Sequence, residues 1–138
     1  MVASRDGLHD RESADILEQV HNQAIRAPIA EVADSLQRLL TGRLVAYIAG
    51  VKDTKTVARW ATGEIGEVRL ESERRLRTAY ETVTLLQRFD GPGTVRAWFI
   101  GMNPHLGDDS PADAIHEGRL REAFGAARSF VAYGANYG

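Results

Sequence analysis

His9, His21, His105 and His116 could in principle ligate a metal or move a proton, but no two stand three or four residues apart, the spacing that sets two imidazoles on one helix face. His105 with Asp108 and Asp109 comes nearest to a metal set. Two adjacent aspartates ahead of Ser110-Pro111 serve equally as turn and helix-start residues. Glu71, Glu73, Arg74, Arg75 and Arg77 read as a solvated helix face, and no glycine-rich phosphate loop follows a strand. The expectation is therefore a protein that is not an enzyme, with no catalytic residue, no metal and no cofactor.

The chemistry that the sequence does support is hydrogen bonding to phosphates and base edges. Residues 44–63 read as two short helices broken by a tight turn at Gly50. Ala46, Val51, Val57 and Trp60 would fill the wedge between them. That leaves Lys52, Thr54, Lys55, Thr56 and Arg59 pointing outward on the second helix, a polar and basic face that fits a DNA major groove. These five are the candidate DNA-binding residues. The segment resembles the helix-turn-helix of Xre-type transcriptional regulators in Ala46, Gly50-Val51, Thr56-Val57-Ala58-Arg59-Trp60 and Gly63. It departs from that pattern in the four residues, Lys52 to Lys55, between Gly50-Val51 and Thr56-Val57, where the usual turn is shorter. Asp53 or Thr54 can still cap the second helix. Two core-packed helices that never meet DNA are the plainer alternative.

Charge is distributed to match. The chain has a formal net charge of −2, but residues 42–80 carry eight Lys or Arg against five Asp or Glu, while residues 1–41 carry four against seven. The basic surplus lies on the two short helices. It is modest, so useful operator affinity calls for a homodimer or higher assembly. A chain of 138 residues allows one core, or two small helical units sharing one. It has no cysteine, which excludes disulfides and Cys-based zinc sites. Residues 1–10 carry charges and no apolar run, and nothing approaches the length of a membrane span, so a cytoplasmic protein with no membrane partner is expected.

The flanking elements read as helices throughout, giving an all-α fold class. Ile16, Leu17, Val20 and Ala24 mark an amphipathic helix over 10–25, and Pro28 opens a second to Leu40, ended by Thr41-Gly42. A long helix over 69–89 carries Leu76, Ala79, Tyr80, Val83 and Leu86, and Asp90-Gly91-Pro92-Gly93 breaks it. Val95, Ala97, Trp98 and Phe99 form a short helix, followed by a loop over 101–107. Ser110 and Pro111 start a short helix to His116, closed by Gly118, and a last helix runs over 118–133. Leu36, Leu44, Val57, Trp60, Leu76, Val83, Trp98 and Phe124 should centre the core. The expected division is an N-terminal helix over 1–27, a DNA-binding unit over 28–90 and a second small unit over 91–138.

In that last third, Trp98-Phe99, Asn103-Pro104, Leu106-Gly107, Pro111-Ala112-Asp113, Gly118 and a final helix closing at Gly134 resemble the toxin-binding domain of Xre/MbcA/ParS-like antitoxins. The resemblance implies an Xre-like helix-turn-helix bundle followed by a small helical toxin-binding domain. It further implies an antitoxin that neutralises a RES-domain, NAD-consuming toxin with its C-terminal region and represses its own operon. The groups that the core cannot use, Arg119, Arg121, Arg128, Phe130, Tyr133 and Tyr137, are the candidate partner-facing residues, since Arg and aromatic side chains anchor interfaces. The alternative is a stand-alone regulator, a phage or host repressor that uses this domain to oligomerise. An adaptor that has lost DNA binding is a third reading.

Overall fold

The computed structural model describes residues 11–133. These form eight α-helices and one 3-10 turn, with no strand among the described residues. In chain order they are α1 Arg11–Arg26, α2 Ile29–Leu40, α3 Gly42–Ala49, α4 Thr54–Ala61, α5 Leu70–Gln87, α6 Pro92–Ile100, the 3-10 turn Pro104–Leu106, α7 Pro111–His116 and α8 Leu120–Tyr133. The expectations for residues 1–10, Gly134 and Tyr137 lie outside the described residues.

The hub is α5. Leu76, Ala79, Tyr80, Val83, Leu85 and Leu86 are all buried, because α1, α2, α3 and α8 pack around it and leave little of its circumference to water. One hydrophobic cluster runs from Ile16 to Val131 through all three stretches into which the sequence divides. The expected core residues Leu36, Val57, Trp60, Leu76, Val83 and Trp98 are buried in it. Leu44 and Phe124 are only half-buried and pack on its edge.

Several joints differ from the sequence reading. Pro92 starts α6 at its first turn rather than ending the preceding helix, which finishes at Gln87. An absent N–H costs nothing at a position where that N–H has no helical acceptor. Thr41, not Gly42, takes the positive-φ position between α2 and α3, at φ 90° and ψ 150°. Its hydroxyl accepts from the Leu44 amide at 3.3 Å, so it caps α3 at the expense of backbone strain. Nor is the charged face of α5 simply solvated. Arg77 Nη1 donates to the carbonyls of Ala24 at 2.9 Å and Ala27 at 2.8 Å, satisfying orphan acceptors at the end of α1, while its Nε pairs with Glu73 at 2.9 Å.

Candidate functional site

The turn between α3 and α4 is built from backbone bonds. Gly50 closes α3 at φ 79°, and the amides of Gly50 and Val51 both donate to the Ala46 carbonyl at 3.0 Å. Buried Ser72 of α5 donates its hydroxyl to the Ala49 carbonyl at 2.8 Å, tying the turn to the hub. Asp53 then caps α4, accepting from the Lys55 amide at 2.8 Å. The lengthened turn is thus absorbed in 50–53 and the first turn of α4, and Asp53 rather than Thr54 is the cap.

Burial divides α4 sharply. Val57 and Trp60 are buried, Trp60 with 3% of its surface exposed, and they seat the helix on α2 and α3. Lys52, Thr54, Lys55 and Arg59 are exposed and Thr56 is half-buried. Lys52, Lys55 and Arg59 make no ion pair among the described residues, so their charges are available to a ligand. Beside them a groove of 330 Å³ runs between the turn and the start of α5, with Lys52, Thr56, Arg69 and Arg75 facing Glu67 and Glu71. The Arg75 guanidinium lies against the turn: a Cβ on Gly50 would come within 2.8 Å of its Nη1. Nothing in the sequence distinguishes Arg69 and Arg75 from ordinary surface charge. What brings them to α4 is the packing of α3 on α5.

The candidate partner-facing residues separate into two groups. Arg121, Arg128 and Tyr133 are exposed on α8. Arg119 and Phe130, by contrast, are used by the fold. Arg119 pairs with Glu122 at 2.8 Å, Asp109 at 2.9 Å and Glu117 at 3.4 Å, fastening the start of α8 to the loop before α7. Its hydrogen bond to Glu122, ahead of that to Asp109, raises its pKa further. Phe130 is half-buried and packs on the core, its ring 6.4 Å from that of Trp98. Phe130 thus lies on the edge of the core, and Arg119, just ahead of α8, is engaged in ion pairs at the surface.

A further set was not visible in the sequence. Tyr47 of α3 donates its phenol to Asp113 of α7, and its ring stacks on His116 at 4.1 Å with 10° between the planes. His116 Nδ1 is 2.6 Å from the Tyr47 carbonyl, which it approaches as a donor. The Tyr47 phenol is pushed up to about 12 by that hydrogen bond first, then by desolvation and by the negative charges of Asp113, Glu117 and Asp109. These contacts span more than sixty residues of chain and lock the C-terminal helices to the first helix of the candidate site. The other expected features are local: Ser110 caps α7 by accepting from the Asp113 amide at 3.0 Å, and Gly118 closes it at φ 83°.

No group of three metal-binding side chains is assembled among the described residues. No helix among them is long and apolar enough to cross a membrane. No family model matches the chain, and no curated protein and no solved structure matches it.

Proposed function

We propose that this protein is a DNA-binding antitoxin that neutralises a RES-domain, NAD-consuming toxin and represses its own operon through the helix-turn-helix formed by α3 and α4. The observation that carries the DNA half is the division of α4. Two large side chains anchor it, while Lys55 and Arg59 on the helix and Lys52 in the turn before it stand exposed and make no ion pair among the described residues. A helix held this way enters a major groove, with Lys and Arg neutralising phosphates or reaching guanine edges and Thr54 and Thr56 hydrogen-bonding beside them.

The toxin half is supported by the resemblance of residues 94–134 and by the exposure of Arg121, Arg128 and Tyr133 on the outer side of α8. A mobility-shift assay on the promoter of its own gene tests the first half. Co-expression with a neighbouring RES-type reading frame, with and without residues 133–138, tests the second. Operator binding that survives the truncation while neutralisation is lost supports both. Full neutralisation by the truncated protein removes the role of the C-terminal tail.

A second reading, a stand-alone regulator, is favoured by the use of Arg119 and Phe130 inside the fold and by the continuity of the core from α1 to α8. In that case the C-terminal helices serve stability and self-association. The absence of a toxin gene beside this one would favour it.

A further inference from the structure

We propose that the groove between α3 and α6 is a self-association surface, across which two copies of this chain meet about a two-fold axis. The groove has a volume of 470 Å³. Leu40 and Leu44 form its floor, and Tyr47 and Ile100 stand beside it with 42% and 64% of their surfaces exposed. Large apolar side chains clustered in a concave site mark an interaction surface, unlike the same residues scattered singly.

The charges at its two ends select the occupant. Arg43 and Arg96 line one end, and neither makes an ion pair among the described residues; Arg96 has only a 3.4 Å contact to the Leu39 carbonyl. Beyond Tyr47 at the other end lie Asp113, which accepts the phenol, and Asp109 and Glu117, whose negative charges bear on the same phenol. Arg119 is shared among Glu122, Asp109 and Glu117, so with Asp113 four carboxylates stand against one guanidinium and the end stays negative. A surface that is positive at one end, apolar in the middle and negative at the other is its own complement when turned by a two-fold rotation, as an isologous interface requires. A partner of one charge sign would match only one end. The assignment goes beyond the DNA reading, which calls for a dimer but says nothing of where it forms.

Sedimentation velocity over a concentration series tests it, using the full chain. Ile100→Lys, Arg43→Glu and Glu117→Lys all fall on exposed helix ends and agree with the helix dipole, so far-UV circular dichroism should be unchanged. Wild type is expected to form a reversible dimer and each variant to self-associate at least ~10-fold more weakly. A mixture of Arg43→Glu with Glu117→Lys should restore the dimer, because in that pairing both cross-axis contacts are again between opposite charges. A wild type that stays monomeric overturns the proposal, as does unchanged association of Ile100→Lys or a mixture that stays apart. A dimer that fails to bind DNA would leave the surface standing and remove the DNA reading. A monomer that binds DNA with full affinity would do the reverse.

Discussion

Gly50→Ala probes the turn on which the candidate site depends, and its cost can be divided into two terms. Gly50 sits at φ 79°, where a Cβ crowds the following carbonyl at roughly 1–2 kcal/mol. The added methyl would also stand 2.8 Å from Arg75 Nη1, too close for any real contact. That neighbour is the far end of a flexible side chain, so it should swing away for about 0.5–1 kcal/mol, the scale of an off-rotamer torsion. The sum is about 1.5–3 kcal/mol, dominated by the backbone. Gly63→Ala isolates that first term, since Gly63 has φ 95° and its Cβ would meet nothing within 4 Å. Urea unfolding followed by circular dichroism reads the difference: with a slope of about 1–3 kcal/mol per molar, Gly50→Ala should lower the midpoint by roughly 0.5–3 M. Adding Arg75→Ala should recover only the smaller term. A loss below about 0.5 kcal/mol for Gly50→Ala would show that the turn is not in the left-handed region. Recovery of the whole loss by Arg75→Ala would show that the contact, not the backbone, sets the cost.

Other substitutions test the packing and the electrostatics. The Trp98 indole N–H is buried without a hydrogen-bond partner among the described residues and the residue is 9% exposed, so Trp98→Phe removes that donor as well as ring area. It should cost no more than about 1 kcal/mol in thermal unfolding, against the ~3–5 typical of aromatic truncation to alanine; a loss of that larger size would mean that the N–H is satisfied. Gly125→Ala lies inside α8 with nothing within 4 Å of the new methyl, and should stabilise by roughly 0.5–1 kcal/mol in urea titration. A destabilised variant would show that the space is filled. Tyr47 should ionise near 12 in an ultraviolet titration and return toward 10 in Asp113→Asn. Because the folded pKa is raised, the stabilisation from this phenol is complete below the unfolded value near 10 and is lost as pH rises through about 12. A Tyr47→Phe variant with an unchanged titration curve would refute the assignment.

What the sequence could convey was local. Ser110, Pro111 and Gly118 delimit α7 because capping, a missing N–H and a positive φ each act within one turn of chain. Gly50 and Asp53 mark the turn before α4 for the same reason, and the spacing of Val57 and Trp60 reveals which side of α4 is inward. What escaped depends on tertiary packing. Arg77 looks like any other member of the Glu71–Arg77 charge run until α1 ends above it and presents its carbonyls. Tyr47 and His116 carry no signal that they will stack, since the packing of α7 on α3 brings them together. Residue type alone points Arg119 and Phe130 outward. Phe130 reaches the edge of the core beside Trp98, and Arg119 finds its carboxylate partners, only once α8 packs on α5 and the loop before α7 lies beside its start. Pro92 can stop one helix or start the next, since a proline both ends and begins helices, and only the residues that follow decide which.

The proposed reading of DNA by α4 is tested most directly by the salt dependence of operator binding. Affinity for a fragment carrying the promoter of its own gene should be measured over a range of salt concentrations, for wild type and for Lys55→Ala with Arg59→Ala. Both side chains are exposed, so the double variant should fold as wild type does. Wild type is expected to show a linear fall of log affinity with log salt. In the double variant binding should weaken, with the slope reduced by about one unit for each side chain on a phosphate, or by roughly 1–3 kcal/mol of affinity for each that reads a base. Unchanged affinity and slope in the folded double variant would remove α4 as the reading helix.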